Sequence, residues 1–292
     1  MKIYDTIYSA MRLKFICEND NIRLSEELKL HISKKLYKNI KSNDTIIYVN
    51  NEPTLTYKII NKGDVIELEY EKVKEINWPI YESKLDIVYK SDNYLIVNKP
   101  KGLLSIPTKA EPFSLYQEVL YYLKSNNMPL TVSILNRLDK DTQGLCVIAL
   151  NKMAAYFLQP THEKMERRYL CLVHGILEKK EGRIVNYIDK HEDSHKRFIS
   201  SENKGKLAIS NYRVIKEHDN KSLLEFILET GRTHQIRLHC SNMGHPIIGD
   251  KLYGTLDDSD ILYLKSYYVK YHDNFLDEDV LIILKGDNFE WE

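Results

Sequence analysis

The stretch NRLDKDTQGLCVIALN, residues 136–151, changes character in a single step. Residues 136–144 are almost all polar or charged, and the apolar run Leu145–Leu150 follows Gly144 at once. That run is too short for a buried helix and rich in β-branched residues, so it predicts a buried strand. A loop carrying Arg137, Asp139 and Asp141 is therefore delivered straight into a core. Charge placed there needs a purpose.

Working outward, the chain has 292 residues, room for one large domain or a large one with a small companion. No segment approaches the ~20 apolar residues of a membrane span. The start, MKIYDTIYSAMRLKF, lacks the apolar core and cleavage site of a signal peptide, so a cytoplasmic protein is expected. Cys17, Cys146, Cys171 and Cys240 are far apart, which predicts reduced thiols rather than a disulfide or zinc framework.

The formal net charge is zero, a mild argument against a nucleic-acid partner. Its distribution says otherwise. Residues 255–292 hold ten acids and three bases, so residues 1–254 carry the compensating excess of +7. The acidic segment reads equally as a solvated surface or as an autoinhibitory tail. No two glycines stand two apart, so the Gly-x-Gly-x-x-Gly fingerprint is absent, and so is the phosphate-binding P-loop.

Residues 26–41 are helical in pattern: Leu28, Ile32, Leu36 and Ile40 form one row, with Lys34, Lys38 and Lys41 roughly opposite. Those lysines could meet RNA or merely be solvated. Strands TIIYVN and DVIELEY follow, and residues 71–84, without periodicity and containing Pro79, read as a linker. From Leu85 the pattern is strand-rich (LDIVY, YLIVNK, LCVIAL, YLCLVHG, SLLEFILE), with one or two helices between. Without a regular strand–helix–strand rhythm, an α+β mixed sheet is expected. In SLLEFILE, Leu224, Phe226 and Leu228 alternate with Glu225, Ile227 and Glu229, the pattern of a half-buried strand.

Thr233 to Met243 predicts a short helix closed by Gly244, with Arg232 at its start and Arg237 one turn in. His234 and His239, five apart, diverge on a helix and on a strand, so no metal site is expected. Five of the ten arginines (Arg137, Arg167, Arg168, Arg232, Arg237) fall in three short stretches of a lysine-heavy chain. They suit either bidentate recognition of carboxylate or phosphate, or structural ion pairs.

These stretches together resemble the RluA-type RNA pseudouridine synthases. NRLDKDTQG resembles the family's His-Arg-Leu-Asp-x-x-Thr-x-Gly signature, with Asn136 in place of the histidine. DNYLIVNKPKGLLSIPT resembles its Asn-Lys-Pro-x-Gly strand, without the common later histidine; RRYLCLVHG and ETGRTHQIRLHCSNMGHPIIGDKLYG resemble two further signatures. The resemblance covers residues 85 to about 254, and residues 1–74 are similar, more weakly, to the αL-type RNA-binding module. It implies a mixed, largely antiparallel catalytic domain over 85–292, a 75–84 linker and a small α/β RNA-binding domain over 1–74.

The implied reaction detaches uracil from ribose C1′, turns it and rejoins it through C5, without cofactor or metal. By resemblance Asp139 acts at the sugar, Tyr169 stacks on the base, and Arg237 is the charge partner, able to orient Asp139 through two parallel hydrogen bonds. Asp141 more plausibly caps the turn. Arg137 and Arg232 become candidates for phosphates or for the space left by a flipped uridine, Lys99 for the cleft wall, and Lys34, Lys38 and Lys41 for RNA contact. The implied partner is structured RNA, ribosomal before transfer RNA, met by a monomer with no membrane association. Two other readings compete: a non-catalytic RNA-binding or ribosome-assembly factor, and a glycosidase-like hydrolase needing a second carboxylate.

Overall fold

The computed structural model describes residues 8–32, 34, 37–38, 46–73, 79–128, 130, 132–150, 154–155, 158, 164–191, 196–201, 204–254, 259–273, 276 and 278–285. In the N-terminal part, β1 (Tyr8–Ile16) runs antiparallel to β6 (Val65–Val73), which also pairs β3 (Ile46–Val49); β4 (Glu52–Thr54) completes a four-stranded sheet in the order β1-β6-β3-β4. The short β2 (Ile22–Arg23) and β5 (Ile59–Ile60) form a separate ribbon. Their apolar faces bury Cys17, Leu24, Leu28, Ile32, Ile47, Val49, Ile60, Ile66 and Leu68.

The helix expected over 26–41 is shorter. Helix α1 spans Leu24–His31 and ends at Ile32, whose backbone is extended (φ −128°, ψ 151°). Ile32 is drawn into the core at that point, so burial overrides continued winding. Lys34 and Lys38 are exposed in helical backbone beyond the break, while Lys41 lies outside the described residues.

The strand-rich part forms one eleven-stranded sheet, here given in spatial order. It runs β13 (Arg197–Ser200), β12 (Glu181–Lys190), β14 (Lys206–His218), β15 (Lys221–Leu228), β11 (Met165–His174), β16 (Leu264–Asp273), β10 (Gln143–Ala149), β8 (Tyr94–Lys99) and β7 (Ile87–Lys90). Strand β9 (Ser133–Ile134) adds to β10, and β17 (Glu278–Ile283) adds to β16. Every pairing is antiparallel except β10 with β16, so the class is α+β with a mixed, largely antiparallel sheet. Helices α2 (Leu115–Ser125) and α3 (Gln235–Asn242) are the helices of this part whose ends are described. Ser114 caps α2 by accepting from the Tyr116 amide.

Two departures from the sequence pattern matter. Strand β15 is buried on both faces: Glu225, expected to face solvent, is 3% exposed and meets Arg213, Arg168 and the Tyr267 hydroxyl. Its central position forces that face inward, and the ion pairs make burial of the carboxylate tolerable. Strand β16 comes from within the acidic segment, so Leu264–Asp273 at least belongs to the sheet. Its mixed polar sequence, LKSYYVKYHD, gave no apolar run to betray it, yet it sits between the strands bearing Asp139's loop and Tyr169. The close β10–β16 approach requires Gly144: at φ +113° a Cβ would lie 2.0 Å from the Ser266 carbonyl oxygen.

Candidate active site

The charged loop before β10 is fixed by three internal staples. Asn136 donates to the Leu145 carbonyl and accepts from the Val147 amide, so its amide side chain substitutes for a strand partner along β10. Ser105 donates to the Leu138 carbonyl and accepts from the Leu138 amide. Lys99, expected on the cleft wall, is instead fully buried, its ammonium donating to the carbonyls of Pro100, Leu103 and Lys140. Burial lowers its pKa to about 8, against the raising effect of nearby acids that include Asp141 and Asp139. Lys99 supports the loop from below. It does not face solvent.

On this platform Asp139 presents a carboxylate whose side chain is 26% exposed. Behind it lies Tyr169 at 5% exposure, on β11 immediately after a bulge that shifts the register against β16. Burial raises the phenol's pKa; the Arg167 charge opposes this, Ser266 hydrogen-bonds the hydroxyl, and Asp139 adds to the rise. Arg167 shares Tyr169's face of β11, is 4% exposed, and leaves Nε and Nη2 without hydrogen-bond partners among the described residues. Gly231 lies so close that a Cβ there would stand 3.2 Å from Arg167 Nη1.

The third side of the site is the segment before and within α3. Gln235 organises its turn, accepting from the Arg232 amide and the Thr230 hydroxyl while donating to the Ile209 carbonyl and the Ser210 hydroxyl. His234 stands at the helix N-cap in left-handed backbone (φ 58°, ψ 20°) without capping the helix. Its Nδ1 lies 2.7 Å from the Tyr253 hydroxyl and its Nε2 3.9 Å from Asp139 Oδ2.

Arg237 corrects the expected pairing. Its Nε and Nη2 donate to the two oxygens of Asp250, not to Asp139, and both partners are buried. The guanidinium also lies 5.2 Å from the centre of the Tyr253 ring, and its charge still interacts with Asp139 across the site. Asp250 had no place in the sequence reading although it lies in the quoted GDKLYG run, because nothing in spacing links residues 237 and 250.

The remaining arginines divide. Arg168 lies over the Tyr268 ring at 4.4 Å and pairs with Glu166 and Glu225, a structural role. Arg137 is exposed at the loop's start. Arg232 is exposed too, its Nε donating to the Leu207 carbonyl. Among the described residues no group of three or more His, Cys, Asp or Glu side chains could hold a metal ion. His234 and Tyr253 were missed as site residues. The sequence offers His234 only as one of several histidines that diverge from a shared ion, and Tyr253 is one of 21 tyrosines.

Residues 93–242 match the family model described as RNA pseudouridylate synthase. An RNA pseudouridine synthase of Bacillus subtilis (strain 168) is 32% identical over 234 residues, covering 77% of this chain and 81% of the relative. Ribosomal large subunit pseudouridine synthase D of Borreliella burgdorferi is 32% identical over 238 residues, covering 76% of this chain and 70% of its own. Among solved structures, human RNA pseudouridylate synthase domain containing 1 superposes with a TM-score of 0.58 at 25% identity, covering 70% of this chain and 86% of that one. At these identities and coverages the chain belongs to the RNA pseudouridylate synthase family: it is an RNA pseudouridine synthase, an isomerase.

Proposed function

We propose that the substrate is a specific uridine in structured RNA, ribosomal RNA first and transfer RNA second, flipped out of its stack to reach Asp139. The preference for ribosomal RNA is supported by relatives named for the large ribosomal subunit. Flipping is needed because C1′ and the base cannot be reworked while the base is stacked in a helix.

Asp139 acts at the ribose, attacking C1′ or taking a ribose proton, as the N1–C1′ bond breaks. The uracil turns, the C5–C1′ bond forms, C5 loses its proton and N1 gains one, so no group donor or redox partner is required. The observation that carries this reading is a partly exposed carboxylate on a stapled loop, within electrostatic reach of Lys99 and Arg237 and backed by Tyr169. Tyr169 supplies an aromatic surface for the base.

Residues 1–74 add RNA affinity, a role supported by the exposed Lys34 and Lys38. Arg137 and Arg232, both exposed beside the site, suit phosphates of the flipped strand. A monomer suffices, since Asp139, Tyr169, His234 and Arg237 all come from one chain. A reducing cytoplasm suits four thiols that sit free and buried.

The test is chemical mapping of pseudouridine in total RNA from cells carrying wild type, Asp139→Asn or no copy of the gene. Asp139→Asn should lose every site while the purified protein stays folded and RNA-bound. Wild-type modification by that variant would move the role to Asp141 or end the assignment.

A further inference from the structure

We infer that His234 is a positioning residue for Asp139, presenting an Nε2–H donor whose tautomer is set by the Tyr253 hydroxyl. The inference rests on the reading of Asp139 above and adds to it the group that orients its free oxygen.

Left-handed φ is disfavoured for residues bearing a Cβ, which crowds the following carbonyl oxygen. His234 adopts it at φ 58°, and its side chain makes no cap bond to the helix it begins. The conformation therefore serves something other than helix capping. What it achieves is to place the ring between Tyr253 and Asp139, with a side chain only 12% exposed. Strain of this kind gathers where a site over-determines a residue's position.

The protons can then be assigned. The Tyr253 oxygen accepts the Arg197 amide hydrogen at 2.8 Å. The phenol keeps one proton to donate, and His234 Nδ1, 2.7 Å away, is placed to accept it. A neutral imidazole whose Nδ1 accepts must carry its hydrogen on Nε2. Nε2 is the nitrogen that faces Asp139 Oδ2. At 3.9 Å the contact is about 1 Å longer than a hydrogen bond, as contacts in substrate-free sites often are before they tighten.

The surroundings favour the neutral ring. Burial lowers the His234 pKa first; Asp139 and Asp250 oppose, while Arg237 and Arg197 reinforce the lowering. A neutral donor suits this task. It can orient the carboxylate without neutralising it.

The experiment compares single-turnover conversion of a uridine-containing RNA against pH for wild type, His234→Ala, His234→Gln, Tyr253→Phe and the His234→Gln/Tyr253→Phe double variant. Glutamine has no tautomer, and its amide can reach the place of Nε2–H. His234→Ala should lose activity on the order of 100-fold, as when one preorganised donor is removed, with RNA affinity unchanged. His234→Gln should recover much of that loss, and Tyr253→Phe should slow the wild type but not the His234→Gln background. Nitrogen NMR of labelled histidine should report Nε2–H in wild type and a tautomer mixture in Tyr253→Phe.

An Nδ1–H tautomer in wild type would overturn the inference, and so would wild-type turnover by His234→Ala with an unshifted pH profile. If His234→Ala does not fold, the wild-type and Tyr253→Phe spectra decide alone. An active Asp139→Asn would instead remove the underlying reading, so the two failures are separable.

Discussion

Arg237 and Asp250 close on each other completely: Nε and Nη2 meet the two carboxylate oxygens at 2.8 and 2.5 Å, with the side chains 4% and 1% exposed. Asp250 also accepts from the Leu252 and Tyr253 amides, so one carboxylate ties α3 to the turn that delivers Tyr253. The pair is a frame for the site.

Breaking that frame from one side should be severe. Removing one partner of a buried ion pair leaves an uncompensated charge, typically a loss of about 3–5 kcal/mol. Arg237→Met and Asp250→Asn should each lower urea stability by about that amount, and the double variant by clearly less than the sum. Arg237→Lys should behave like Arg237→Met, because an ammonium cannot reproduce the fork. Additive losses in the double-mutant cycle would show that the two side chains do not act as a unit.

Lys99 should set an upper pH limit on the reaction. Its pKa is lowered to about 8, and deprotonation removes both a donor and a charge from beneath the Asp139 loop. Conversion should therefore decline through about pH 8, with RNA binding less affected. Lys99→Met leaves three carbonyls without their donor and should cost about 3 kcal/mol or more in unfolding experiments. An alkaline limb displaced well above pH 9 would argue that the loop does not need the ammonium.

Acid sensitivity should trace to His239. This ring is fully buried, shares a hydrogen bond with the Ser210 hydroxyl, leaves Nε2 unpartnered among the described residues, and has its pKa lowered by burial to about 4. An unfolded chain binds that proton below about pH 6.5 while the folded chain refuses it. Stability contributed by the neutral ring is thus complete above about pH 6.5 and falls as pH drops toward 4, by about 3 kcal/mol in all. His239→Asn, which keeps an acceptor for Ser210, should be less stable at neutral pH yet show a shallower acid loss.

Deleting residues 1–74 should weaken RNA affinity and flatten its dependence on salt, since phosphate contacts release counterions. The remaining chain should still convert uridine at high RNA concentration. An unchanged salt slope would mean that Lys34 and Lys38 are only solvated.

What the sequence disclosed follows from the range of each interaction. Strands β8, β10 and β11 were legible because burial on both faces leaves apolar runs, and Gly244 marked the end of α3 through its positive φ. Strands β12, β14 and β16 were not, because their faces mix polar and apolar residues. Asp139 and Tyr169 could be named from motifs. The Arg237–Asp250 pairing and the His234–Tyr253 contact are set by how α3 meets the following turn, and residue spacing carries no trace of that.

Strand β16 has a bearing on how the enzyme comes into being during synthesis. The strand that follows Asp139's loop and the strand that carries Tyr169 are not neighbours; Leu264–Asp273 lies between them, pairing Gly144 with Ser266 on one side and Tyr169 with Ser266 on the other. A nascent chain that has emerged only as far as residue 263 holds two half-sheets with no shared edge. Chains grow from the N-terminus, so every earlier segment waits on this late one. Asp139 and Tyr169 are first brought onto one sheet when Ser266 arrives between their strands, so a chain still being translated before that point has not yet assembled this site.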